Sequence, residues 1–210
     1  MGRNPPRRDS QTRQRIAQDA ARLMVEHGIK DFYSAKQKAA EAIGISDRHV
    51  MPRNTEVEEA IFEYQRIFKS RAQPQRLQVL RHTAIKAMGL LQEFHPRLVG
   101  SVLRGTAGEH SDVNLHVFAD TPEAVSHFLS RHKIPHEQRE KRFRVSRDHY
   151  EQFTAYSFVA GDVPIDIVVF PVTGQRQAPL SPVDGKPMER VSVSEVEVLL
   201  HEMEFLLPEV

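Results

Sequence analysis

The stretch that decides the fold lies at residues 97–118, Arg97-Leu98-Val99-Gly100-Ser101-Val102-Leu103-Arg104-Gly105-Thr106-Ala107-Gly108-Glu109-His110-Ser111-Asp112-Val113-Asn114-Leu115-His116-Val117-Phe118. The pattern predicts a short apolar strand ending at Gly100-Ser101, a glycine-rich turn and a second strand of alternating polar and apolar residues. Alternate residues of a strand lie on one face. The second strand therefore places Asp112, Asn114 and His116 together, opposite an apolar face. A carboxylate beside an amide, just after a Gly-Ser turn, indicates a functional site.

A later apolar segment, Val163-Pro164-Ile165-Asp166-Ile167-Val168-Val169-Phe170, carries one carboxylate in its middle. Carboxylates are the side chains that hold Mg²⁺ in sites that bind phosphorylated substrates. Two divalent ions can stabilise the attacking and leaving oxygens of a phosphoryl or nucleotidyl transfer. Asp112 and Asp166 could supply such ligands. The Gly100-Ser101 turn could bring backbone N–H groups and a hydroxyl to the phosphates, and Arg104 could add a positive charge.

These three segments, in this order, resemble the nucleotidyltransferase superfamily, whose fold is shared by DNA polymerase beta, poly(A) polymerases and small antibiotic- and toxin-type nucleotidyltransferases. The resemblance covers roughly residues 75–170. It implies a nucleoside triphosphate substrate and Mg²⁺ (or Mn²⁺) as cofactor. It also implies a set of site residues: Asp112, Asn114 and Asp166 as catalytic residues, Asp112 and Asp166 as metal ligands, and Gly100, Ser101 and Arg104 as nucleotide-binding residues.

Asn114 departs from the family pattern, which has a carboxylate at this position. An amide oxygen can coordinate a hard cation but adds no negative charge. Two interpretations follow. The chain either transfers a nucleoside monophosphate to a hydroxyl of an unknown acceptor, such as a small molecule, an RNA or a protein, or it is a catalytically lapsed fold acting as a nucleotide- or nucleic-acid-binding regulatory protein. His116 could act as a compensating base, or it could be a packed strand histidine.

Other phosphate-binding motifs fit less well. Gly100 and Gly105 have the glycine spacing of a P-loop, but Thr106-Ala107 stands where that motif requires Lys-Ser or Lys-Thr. The chain contains no G-x-G-x-x-G sequence. The sequence therefore favours the nucleotidyltransferase-like interpretation over a P-loop or a dinucleotide-binding fold.

Composition sets wider limits on the class of protein. The 210 residues are 40% hydrophobic and 27% charged and include no cysteine, which excludes disulfides and thiolate metal sites. No apolar run approaches the roughly 20 residues of a membrane-spanning helix, and the polar, basic N-terminus has no apolar core of a secretory signal. We therefore expect a cytoplasmic protein without membrane contacts. Residues 1–94 carry 17 basic and 11 acidic residues, against 12 and 17 in residues 95–210, which suggests either a polyanionic partner or a solvated helical surface.

Periodicity divides the chain into four parts. We predict a disordered basic tail over 1–11, a helical domain over 12–72, a nucleotidyltransferase-like domain over 73–172, and a Pro-rich loop with a C-terminal helix packing on that domain over 173–210. The fold class is α+β, with an N-terminal helical bundle followed by a small mixed sheet. Within the bundle we expect Ser34 to cap the second helix and Asn54 or Thr55 to cap the third. We also expect a break at Ala72-Gln73-Pro74 and a buried stripe that includes Phe68.

Residues 12–46 also resemble the N-terminal helices of TetR-type repressors, in which a DNA-recognition helix follows. Here the next residues are Asp47-Arg48-His49-Val50-Met51-Pro52, and a proline would interrupt such a helix almost at once. The sequence therefore predicts a helical bundle that lacks sequence-specific DNA binding.

Overall fold

The computed structural model describes residues 7–206. The chain forms two compact units. The first comprises the residues up to Gln73 with the short segments Gly108–His110 and Pro182–Asp184, and the second comprises Pro74–Ala107, Ser111–Ser181 and the residues from Gly185 onward.

Three helices and a single 3₁₀ turn build the first unit, namely α1 (Arg7–His27), α2 (Phe32–Ala42), the 3₁₀ turn Arg48–Val50 and α3 (Asn54–Phe68). Its core is rich in alanine, a small side chain that lets helix backbones approach closely. The buried residues are Ile16, Ala17, Ala20, Ala21, Ala35, Ala39, Ala40, Val50, Val57 and Ile61. This helical bundle was expected from the apolar periodicity of the sequence.

Several local expectations for this unit are wrong. Helix α1 begins at Arg7, so residues 7–11 are helical, whereas residues 1–6 of the predicted disordered tail lie outside the described residues. Asp31 caps α2, because its Oδ2 accepts a hydrogen bond of 2.8 Å from the backbone N–H of Ser34. Helix α3 is preceded by Arg53, whose N–H donates to Glu56 Oε2 at 2.7 Å. Phe68 is 64% exposed.

The segment between α2 and α3 contains only the 3₁₀ turn Arg48–Val50, and Met51 and Arg53 on either side of Pro52 have extended backbones. A proline removes a donor and disfavours helical conformation in the preceding residue. The helix that would read DNA in a TetR-type protein has no counterpart at this position.

The second unit contains five strands and four helices among the described residues. In chain order these are α4 (Ala72–Leu90), the 3₁₀ turn Gln92–Phe94, β1 (Arg97–Val99), α5 (Ser101–Arg104), β2 (Val113–Phe118), α6 (Pro122–Arg131), β3 (Glu137–Arg144), β4 (Tyr150–Ala160), β5 (Val163–Phe170), the 3₁₀ turn Val172–Arg176 and α7 (Val193–Leu206). The expected break at Pro74 is wrong, since Pro74 lies in the first turn of α4, where a missing N–H costs nothing.

The strands form one sheet in the order β1-β2-β5-β4-β3. Strand β2 pairs with β5 in parallel, and all other neighbours are antiparallel. The structure therefore confirms the α+β fold class, with an N-terminal helical region and a mixed sheet. No described helix is long and apolar enough to cross a membrane.

The two faces of the sheet differ in chemistry. One face packs against residues of α4, α6 and α7 and contributes Val113, Leu115, Val117, Tyr156, Ile165 and Ile167 to the main core. The opposite face, which we call the polar face, carries Asn114, His116, Asp166, Arg139 and Lys141, together with an aromatic cluster around Phe118 and Phe170. The alternation of a strand thus separates the core of the domain from its candidate site.

The chain after β5 contacts both edge strands of the same sheet, and at β3 the backbone N–H of Leu180 donates to the carbonyl oxygen of Arg144 at 2.7 Å. An isolated bridge pairs Val191 with Leu98 of β1, and another joins Leu180 to Pro187. Between the 3₁₀ turn Val172–Arg176 and α7 the chain forms no helix or strand beyond these bridges, as its proline content predicts.

Candidate functional site

Strand register brings two of the predicted site residues side by side. Asn114 in β2 is the direct partner of Asp166 in the parallel strand β5 and of Val99 in β1. Asp112 lies one residue before β2, and its backbone carbonyl accepts a hydrogen bond of 3.2 Å from Nδ2 of Asn114. The amide side chain is thereby turned toward its own backbone.

Asp166 is the centre of the polar face. The side chain is only 3% exposed, and its carboxylate contacts two cations from β3. Arg139 Nη2 lies 2.9 Å from Oδ1, and Lys141 Nζ donates to Oδ2. Oδ1 has no partner with hydrogen-bond geometry among the described residues, so the arginine contact is an ion pair without the alignment of a hydrogen bond.

Arg139 and Lys141 reach Asp166 across an intervening strand. Strand β4 lies between β3 and β5, and the residues that it presents on the polar face at this point are Ala155 and Ser157. Both side chains are short, so two long cationic side chains can pass over them. The sequence therefore places two small residues, Ala155 and Ser157, beneath the ion pairs.

These contacts do not suit a divalent cation. Magnesium binds hard, negatively charged oxygens. The Asp166 carboxylate already contacts two positive charges, and the Asn114 amide contributes no negative charge. Among residues 7–206, no group of three or more His, Asp or Glu side chains is arranged to hold a metal ion. The donor set at Asp112, Asn114 and Asp166 thus does not fit the metal ion that the family resemblance implies.

The predicted phosphate-binding turn lies next to this face. Gly100 has φ = 77° and ψ = −152°, a backbone conformation open essentially to glycine alone. A Cβ at this position would lie 3.7 Å from Nδ2 of Asn114, so the turn packs directly against the amide. Ser101 begins the short helix α5, and Arg104 at its end donates to Oγ of the buried Ser181 at 3.3 Å.

His116 occupies a packed position. The ring is 1% exposed, its centroid lies 4.5 Å from that of Phe170, and its Nδ1 accepts a hydrogen bond of 2.9 Å from Nε of Arg190. This bond assigns the ring proton to Nε2. Burial, together with the charges of Arg190 and Lys141, holds the pKa of His116 well below its usual value. His116 is therefore a neutral structural residue and not an exposed base.

Arg190 fixes the C-terminal segment to the aromatic end of the polar face. Its guanidinium lies over the rings of Phe118 and Phe170, and Nη1 donates to the carbonyl oxygen of Gly174 at 2.7 Å. Burial and the nearby charge of Arg97 lower the pKa of Arg190 to about 10, which leaves it cationic at neutral pH. Cation–π contacts of this kind favour an arginine over a lysine.

Residues 136–150 are dense in charge, and the arginines of the alternating segment 141–145 could hold a nucleotide or RNA phosphate or form a solvated face, but Arg139, Lys141 and Arg190 were not predicted as site residues. A signal for the first two exists, because Arg139, Lys141 and Phe143 alternate with residues of the other face in β3. Nothing in the sequence shows that this face lies over Asp166, because that depends on the order of strands in the sheet.

Comparison of the chain with models of known protein families and with curated proteins gives no match.

Proposed function

We propose that the chain is a nucleotidyltransferase-like protein that binds a nucleotide and does not transfer its nucleotidyl group. The observation that carries this proposal is the Asp166 carboxylate, which lies beside Asn114 and contacts both Arg139 and Lys141. The Gly100-Ser101 turn, Asp112 and Asp166 follow one another in the order of the superfamily pattern, which supports a nucleotide site at this position. Arg139 and Lys141 together carry one more charge than the Asp166 carboxylate that they contact, and this excess of positive charge favours an anion over a cation.

Local charge supports binding of phosphate. Arg139 and Lys141 keep 49% and 30% of their side chains exposed, whereas Asp166 beneath them is 3% exposed. Solvent therefore meets the two cations before it meets the carboxylate. A regulatory protein of this kind would respond to a nucleotide by binding alone.

A second candidate is the Mg²⁺-dependent transferase that the sequence suggests, acting on an RNA, a protein or a small-molecule acceptor. The observation that favours it is the parallel register of Asn114 and Asp166, with Asp112 just before the strand. This candidate requires Asp166 to exchange both cationic partners for metal ions. The ion pairs make it the weaker of the two.

The test measures binding and turnover on the same samples. Thermal unfolding is followed with ATP, GTP, CTP and UTP, with and without Mg²⁺ or Mn²⁺, for the native protein and for Asp112→Ala, and pyrophosphate release is assayed in parallel. The proposal expects at least one nucleotide to raise Tm without metal in both proteins, with no pyrophosphate released. Metal-dependent stabilisation that Asp112→Ala abolishes, together with pyrophosphate release, would establish the transferase instead. A response to short RNA but to no free nucleotide would point to a nucleic-acid binder.

A further inference from the structure

We propose that Arg139 and Lys141, positioned by Asp166, bind the phosphate chain of a nucleoside di- or triphosphate without a divalent cation. This inference rests on the proposed function and names the ligand group and the residues that recognise it. The two side chains would supply the positive charge that a metal ion supplies in metal-dependent phosphate sites.

Both cations have N–H donors that do not contact Asp166. An arginine carries five N–H donors and a lysine three. The contacts to Asp166 involve Nη2 of Arg139 and one N–H of Lys141. The remaining donors belong to side chains that solvent reaches, so a phosphate oxygen can approach them without displacing the carboxylate.

Asp166 acts as a positioning residue. A lysine or arginine on an exposed strand samples many rotamers, and ordering it costs side-chain entropy. The buried carboxylate reduces the entropy that is lost when the ligand binds, because it already holds both side chains on one face. Preorganised charges of this kind bind an anion more tightly than free ones.

Spacing favours linked phosphates. Arg139 and Lys141 are two residues apart on the same face of β3, about 6.6 Å along a strand. The two cations contact different oxygens of Asp166, and a chain of two or three phosphates offers separate oxygens to each cation without requiring either side chain to leave the carboxylate. Free nucleoside triphosphate also carries more negative charge than its magnesium complex, so we expect Mg²⁺ to compete with the site.

An acidic side chain next to Arg139 opposes binding. Glu137 lies two residues before Arg139 on the same face and is exposed. Its carboxylate brings a like charge close to an incoming phosphate, and the repulsion is weakened by solvent. Removing this charge should raise the affinity, and the substitution leaves the Asp166 contacts in place.

The experiment titrates inorganic tripolyphosphate and ATP into the full-length protein in the presence of EDTA, with isothermal calorimetry as the readout. Arg139→Gln and Lys141→Gln should each weaken binding of both ligands by about tenfold, the effect of losing one charge-assisted hydrogen bond. Glu137→Gln should tighten binding severalfold. The matched control is Arg142→Gln, which removes the same charge from the same strand, but from the opposite face, where Arg142 lies over Tyr150.

The outcomes separate the phosphate-binding inference from the proposed function. Equal losses in Arg142→Gln and in the two site variants would overturn the inference, because a diffuse basic surface would then explain binding. ATP binding that neither site variant weakens would overturn the inference and leave the proposed function standing. Binding of tripolyphosphate alone, weakened by both variants, would support a phosphate site and overturn the nucleotide function. If neither ligand binds, both claims fail. Glu137→Gln, which does not touch the buried ion pairs, keeps the test valid if Lys141→Gln unfolds.

Discussion

Gly100 is the residue at which the backbone of the candidate site is most constrained. Its φ of 77° with ψ near −152° is a conformation that costs other residues about 1–3 kcal/mol. We therefore expect Gly100→Ala to lower the free energy of unfolding by that amount in chemical denaturation. The control is Gly89→Ala near the end of α4, where an added Cβ meets nothing within 4 Å beyond its chain neighbours and the backbone of its own helix, and alanine favours the helix. If both substitutions have the same effect, backbone strain is not the cause.

His116 should make stability depend on pH. Its pKa is lowered in the folded protein by burial and by two cations, relative to a value of 6.5 for the unfolded chain. Below pH 6.5 the unfolded state therefore takes up a proton that the folded state does not, and stability falls as the pH drops toward the folded pKa. The slope contributed by one such group is at most about 1.4 kcal/mol per pH unit.

The measurement compares the free energy of unfolding of the native protein and of His116→Gln between pH 7.5 and pH 5, a window that brackets the 6.5 of the unfolded histidine. A glutamine oxygen can still accept the hydrogen bond from Arg190 but takes up no proton in this range. The native protein should lose stability more steeply than the variant below pH 6.5. Parallel curves would show that His116 has the same pKa in the folded and unfolded states, so that its ring is accessible to water in the folded protein.

The residue scale also shows what sequence can and cannot reveal about the site. Asp112, Asn114 and Asp166 follow from the strand pattern and the Gly-Ser turn, and the structure brings Asn114 and Asp166 together. The partners of Asp166 lie 27 and 25 residues before it in the chain, on a strand that is not its neighbour. The sequence shows that residues 137–144 are densely charged. Only the tertiary structure brings Arg139 and Lys141 to one buried carboxylate.

At the level of single elements, a glutamate in the first turn of α7 binds the residue that precedes the helix. Ser192 precedes the helix, and Glu195 Oε2 accepts hydrogen bonds from its backbone N–H at 2.6 Å and from its hydroxyl at 2.7 Å. These bonds lower the pKa of Glu195. We expect Glu195→Ala to lower the free energy of unfolding by about 0.5–1 kcal/mol, because Glu195 is exposed and its bonds compete with water.

The measurement is urea denaturation, and Glu197→Ala is the matched control. Glu197 is an exposed glutamate of the same helix beyond its first residues, so the substitution changes charge and helix propensity equally without removing a cap. A loss of stability in Glu197→Ala that matches the loss in Glu195→Ala would show that charge, not capping, is responsible.

Elements were predicted best where periodicity was strong and least well at their ends. Strands β1 and β2 on either side of the Gly-Ser turn and the apolar segment that forms β5 follow from the sequence. The start of α4 was missed because Pro74 resembles a break, although a first helical turn accepts a proline. The cap of α2 was missed because Asp31 and Ser34 are both good caps, and only the backbone geometry separates them.

For the whole molecule, the α+β class follows from helices in the first part of the chain and strands in the second. The order β1-β2-β5-β4-β3 does not follow from the sequence, because pairing of β2 with the distant β5 is a non-local contact. The poor fit of the site to a metal ion also appears only at this scale. A strand motif typical of a metal site is combined, through the fold, with cations that neutralise its carboxylate.

The affinity of the native protein for ATP, measured by calorimetry in EDTA and again in saturating Mg²⁺, tests this account most directly. If Arg139 and Lys141 replace the metal ion, ATP binds in EDTA, and Mg²⁺ weakens the affinity, because the magnesium complex carries less negative charge. Binding that appears only when Mg²⁺ is present would contradict the account. It would mean that Asp166 releases its two cations to a metal ion and that the site belongs to a working transferase.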